Sequence, residues 1–207
     1  MKASLRYRAK AMAGNTENGD GRRRRRWRIA VWGTAAFLLP LPLVAMRFTD
    51  EVNWDETDFM VFGAMLAAAC GTCELAAGMT GNSAYRAAVG VAIAAAFILV
   101  WMNLAVGIIG TEDNPANLMF GGVLAVGIVG AVIARLQPHG MARALVATAL
   151  AQALVAGIAL AEGLGSAGPG WPGDILFLTG FFSALWIGSA LLFGKAAREQ
   201  VPAGAAW

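Results

Sequence analysis

Phe59–Met79, FMVFGAMLAAACGTCELAAGM, decides how this chain is read. A helix needs roughly 20 apolar residues to cross a hydrocarbon core of about 30 Å, and this run supplies them. One acid, Glu74, interrupts it just after Cys70-Gly71-Thr72-Cys73. A carboxylate deep in a bilayer costs about 2.5–3.5 kcal/mol on insertion scales. A partner is therefore expected. Arg135, at the end of another apolar run, is the partner the charge placement suggests, and a protonated, hydrogen-bonded acid is the other solution.

Working outward, the chain holds further runs of the same kind. Of its 207 residues, 58% are hydrophobic and 14% charged, against about 25% charged in a soluble domain. The predicted spans are 29–46, 59–79, 85–109, 118–134, 141–161 and 175–193. The fold class expected is all-α: a six-helix transmembrane bundle. Residues 1–28 read as a disordered basic cytosolic tail, 29–195 as the membrane domain and 196–207 as a second short tail. Pro40 and Pro42 should loosen the outer half of the first span. Asp55 or Thr57 can cap the second. The loop Leu136–Gly140 holds the only histidine, His139.

Charge gives the orientation. Arg22–Arg26, Arg28, Arg86, Arg135, Arg143, Lys195 and Arg198 fall on one side when the loops are sorted alternately. The acidic loops 47–58 and 110–117 fall on the other, with Arg47 as its one base. By the positive-inside rule both termini are expected on the cytoplasmic side. Arg22–Arg26 is read as a topology signal that also meets anionic lipid head groups. Nucleic-acid binding would need more than one arginine run.

The second and third spans can be laid on the fourth and fifth, with Phe62-Gly63 over Phe120-Gly121 and Arg86-Ala87 over Arg143-Ala144. Two parallel helical-hairpin repeats would follow.

Chemistry-bearing residues are few. The C-x-x-C at Cys70 and Cys73 lies beyond mid-helix, away from the helix N-terminus that would activate a thiol. Two cysteines and one glutamate fall short of a structural metal site, so small packing residues are the plain reading. No lysine inside a span is available for a Schiff base, and one histidine cannot hold a haem from both sides. No G-x-S-x-G, H-E-x-x-H, Walker A or dinucleotide fingerprint is present. No cofactor is expected and an enzyme is disfavoured. The candidate intramembrane polar site is Glu74, Asn103, Gln152 and Arg135. Thr148 and Gln152 share a face one turn apart, and structural hydrogen bonding between helices is the competing reading.

The stretches NWDETDFM (Asn53–Met60) and EDNPANLMF (Glu112–Phe120) resemble a family of small six-helix bacterial inner-membrane proteins. The resemblance implies the same six-helix layout over 29–198 and brings no activity with it. Two functions stay open on the residues. One is transport of a small solute or ion along a polar path between helices. The other is a non-catalytic accessory or assembly subunit of a membrane complex. The expected partners are the bilayer and a second chain, either another copy or a complex subunit.

Overall fold

The computed structural model describes residues 25–49, 53–168 and 170–200. The tail before residue 25, with Arg22–Arg24, and the last residues 201–207 lie outside them, as do Asp50 and Glu51. Six helices are long and apolar enough to cross a membrane, and no strand occurs among the described residues. We number them α1 (Arg25–Ala45), α2 (Glu56–Met79), α3 (Ser83–Ala105), α4 (Met119–Ile133, which with the 3-10 turn Pro115–Leu118 before it makes the fourth span), α5 (Pro138–Ala161) and α6 (Gly173–Gln200). The all-α six-helix fold is the one expected. The chain divides into two compact units, Met1–Ala77 and Gly78–Trp207, described in turn.

The first unit is a helical hairpin. Pro40 lacks the N–H that would continue α1, and the helix breaks at 39–40 before restarting as Leu41–Ala45. Asp55 caps α2: its Oδ1 accepts from the N–H groups of Thr57 (2.7 Å) and Asp58 (3.0 Å). Asp58 Oδ2 in return accepts from the Asp55 N–H at 3.0 Å, which closes a reciprocal capping box. Trp54 packs edge-on against Phe59 and Phe62, with centroids 5.2 and 5.4 Å away. The hairpin keeps one register along its length. Leu39 stands against Gly63, the Val31 carbonyl against Cys70 Sγ at 3.7 Å, and Arg28 against Glu74.

In the second unit α6 lies between α3 and α5, and α5 between α6 and α4. One end is basic, with Arg86, Arg135, Arg143, Lys195 and Arg198. The other is acidic, with Glu112, Asp113, Glu162 and Asp174. Side chains tie the basic end together. Tyr85 Oη donates to the Leu136 carbonyl (2.9 Å), and its ring meets Phe193 edge-on at 5.0 Å. Asn82 caps α3 through Tyr85 N–H and donates from Nδ2 to Glu199 Oε2 at 2.8 Å. A turn higher, the buried Ser189 hydroxyl donates to the Ala88 carbonyl (2.7 Å) and fixes α3 against α6.

At the acidic end buried Asn117 builds the α3–α4 loop. Its Oδ1 accepts from Ile108 N–H (3.0 Å) and Ile109 N–H (2.9 Å), and its Nδ2 donates to the Thr111 carbonyl at 2.7 Å. The loop turns on Gly107 at φ +70°, where a Cβ would strike that same carbonyl.

Helix ends differ from expectation where local chemistry overrides hydropathy. α5 starts at Pro138, not Met141, because proline suits a first helical position. His139 therefore sits in a helical first turn, not in a loop. α3 stops at Ala105 rather than 109, ahead of Gly107. The described residues Arg25–Arg28 are already helical, and α6 runs through Gln200, both within stretches expected to form tails.

α4 and α5 approach on small residues. A Cβ on Gly130 would stand 2.6 Å from Ala144 Cβ, whereas one on Gly180 would meet nothing within 4 Å. Gly130→Ala is expected to destabilise the protein by about 1–3 kcal/mol relative to Gly180→Ala. Ala144→Gly should restore most of that loss, read as the thermal unfolding midpoint in detergent.

Candidate functional site

The sequence-predicted residues separate into two environments. Glu74 belongs to the first unit. It stands in the next-to-last turn of α2, opposite the first described turns of α1. Arg28 and Trp32 lie one turn apart on α1 and share a face, so both reach it. Arg28 Nε is 2.6 Å from Glu74 Oε1, and Trp32 Nε1–H donates to Oε2 at 3.1 Å. Both carboxylate oxygens are engaged. Arg28 thus takes the place expected for Arg135, because the antiparallel hairpin brings the first turns of α1 to the last turns of α2. Side-chain exposures are 58% for Arg28 and 29% for Glu74, and an ion pair this open is worth about 0.2–1 kcal/mol. Chemically this is a clamp between two helices at their ends. Arg135, in the second unit, is exposed and ends α4 in the left-handed region, with φ 49°.

Asn103 and Gln152 belong to the second unit. Asn103 Nδ2 donates back to the Leu99 carbonyl at 2.8 Å, while its buried Oδ1 has no partner. Gln152 is 0% exposed, and neither its Oε1 nor its Nε2 has a hydrogen-bond partner. Thr148, one turn below, is satisfied by the Ala144 carbonyl at 2.9 Å. Three further buried polar atoms stand without partners on α6: Thr179 Oγ1, Ser183 Oγ and Trp186 Nε1. Their spacing puts them on one face.

Helix register places these groups at neighbouring heights. Ala142 and Val146 of α5 line the same groove as Ala190 and Gly194 of α6. Counting about 1.5 Å per residue from there along the antiparallel pair, Gln152 comes level with Ser183, and Thr179 and Trp186 lie within about one turn of it. The Ser189–Ala88 bond fixes α3 in the same way. It puts Asn103 about 7 Å beyond Thr179, towards the acidic end. There a cavity of about 400 Å³ opens between the two loops, lined by Met102, Trp171, Asp174 and Leu178 among others.

An unpartnered buried amide or hydroxyl costs about 1–3 kcal/mol unless a partner is supplied, and five residues present such atoms here. Their unpartnered atoms are all neutral and include both donors and acceptors. Sequence reasoning found Asn103 and Gln152 but missed Thr179, Ser183 and Trp186. The signal available was their three-and-four spacing in the last span. Among the described residues no group of three His, Cys, Asp or Glu could hold a metal ion.

A double-mutant cycle over Arg28→Gln and Glu74→Gln is expected to give a coupling of about 0.2–1 kcal/mol from detergent-phase unfolding. Trp32→Phe should lower stability by a similar amount. A coupling of zero would mean that the carboxylate does not hold α1 to α2.

No protein-family model, curated protein or solved structure matches the chain. The site is therefore read from its own chemistry.

Proposed function

We propose that this polytopic protein conducts a small uncharged polar solute, water-sized or somewhat larger, through its second unit. The path runs from the cavity at the acidic end past Asn103, Thr179, Ser183 and Gln152 to Trp186. The observation that carries this reading is the complete burial of Gln152 with its amide oxygen and nitrogen both unpartnered. Buried polar groups in native proteins are bonded to protein or to water. Here the protein supplies nothing, so a small molecule that enters has to.

The neutrality of these groups favours an uncharged cargo over an ion. Glu74, the sequence candidate for a proton or cation site, is held by Arg28 and Trp32. An accessory subunit explains the buried groups less well, since that reading has them hold helices together by hydrogen bonds and these atoms make none within the protein. We place the basic end and both termini on the cytoplasmic side of a bacterial inner membrane. The arginine asymmetry supports that orientation, and the six helices long and apolar enough to cross a bilayer support the membrane. Arg22–Arg26 would rest on anionic head groups.

The test is Gln152→Leu in proteoliposomes, followed by stopped-flow light scattering under water, glycerol and urea gradients. The expected result is loss of the protein-dependent flux to the empty-vesicle baseline. The unfolding midpoint should stay the same or rise, because an apolar side chain of similar size removes unsatisfied groups. Unchanged flux together with a stability loss above about 1 kcal/mol would make Gln152 a structural hydrogen-bonding residue and overturn the reading.

A further inference from the structure

A second feature of the helical domain takes no part in the path. Between α5 and α6, at the basic end, runs an open groove of about 620 Å³. Its outer end carries His139, Arg143 and Arg198, and its inner length carries Val146, Ile187 and Leu191. Both arginines and all three apolar side chains are exposed. Among the described residues neither arginine has a carboxylate within 4 Å. The nearest acid on the same helix end, Glu199, is already engaged by Lys195 at 3.9 Å and by Asn82 at 2.8 Å.

This is a cationic mouth on an apolar channel that lies along two membrane-spanning helices. We infer that the groove binds one anionic phospholipid, its phosphate between Arg143 and Arg198 and an acyl chain against Val146, Ile187 and Leu191. Charge complementarity selects the head group, since guanidinium pairs bind phosphate oxygens in forked geometry. The apolar wall selects a lipid over a free anion, because inorganic phosphate would leave that surface uncovered. Basic pockets between membrane helices bind such head groups generally.

The full chain, purified in detergent, is titrated with phosphatidylglycerol or with phosphatidylcholine, and retained lipid is counted by native mass spectrometry. Wild type should retain phosphatidylglycerol preferentially. Arg143→Gln or Arg198→Gln should weaken that retention about fivefold, and the double variant about tenfold to thirtyfold, at about one charge's worth of surface attraction each. Lys195→Gln removes the same charge from the same end outside the groove and should stay within twofold of wild type. Should the arginine variants fail to fold, Val146→Trp with Leu191→Trp fills the groove and leaves its charges in place, and it should also lose the bound lipid. Retention in the arginine variants equal to that in Lys195→Gln would overturn the proposal. So would equal retention of the two lipids by wild type, or displacement of phosphatidylglycerol by 10 mM inorganic phosphate alone.

Discussion

A polar atom enclosed by apolar side chains needs a partner, and that requirement sorts every interior group of this protein. Backbone amides meet it by forming helices, the only open-chain solution in lipid. Most interior side chains meet it too. Ser189 donates across to Ala88, Thr148 bonds back along its own helix, and Asn117 satisfies two amides and a carbonyl of the loop it builds. Glu74, less enclosed, takes two donors from one face of α1. Against this background the unpartnered atoms of Asn103, Gln152, Thr179, Ser183 and Trp186 stand apart. Their grouping at neighbouring heights is what gives the second unit a function to propose.

The two ends of the second unit are built differently. The basic end is closed by side-chain bonds from Tyr85 and Asn82 and by the Tyr85–Phe193 ring contact. The acidic end is closed by backbone turns at Gly107, Gly110, Gly163 and Gly165, all with positive φ. Gly110 and Gly165 come so close that a Cβ on Gly165 would stand 2.7 Å from the Gly110 nitrogen. Loops held by glycine contacts leave space beside them, and the cavity of about 400 Å³ lies there.

Much of the fold was legible in the sequence because length and hydropathy report the solvent directly. Six apolar runs became six helices, Asp55 capped α2, and the helix broke at Pro40. Helix ends were less legible. Pro138 lies in a polar stretch that hydropathy excludes, yet its ring favours a helix start. The partner of Glu74 was missed because several arginines sit at the same end, and which one meets the acid depends on the hairpin register. The α6 polar stripe was missed for a different reason. Serine and threonine in apolar helices commonly bond back to their own backbone, as Thr72 and Thr148 do, so a hydroxyl alone says little about its surroundings. The matched residues of the expected hairpin repeat sit in differing surroundings. Phe62 and Phe120 are both buried, but Arg86 is tied to the Thr80 carbonyl while Arg143 faces the groove.

The central claim is that water or a solute occupies the interior beside Gln152, Ser183 and Trp186. Radiolytic hydroxyl-radical labelling tests it most directly, because radicals formed from enclosed water oxidise the side chains next to it. Trp186 is the reactive reporter, at 3% exposure, and Trp171 at 38% is its exposed reference. The expected result is oxidation of Trp186 at a rate within about an order of magnitude of Trp171. Complete protection of Trp186 while Trp171 is labelled would mean a dry interior and would contradict the account.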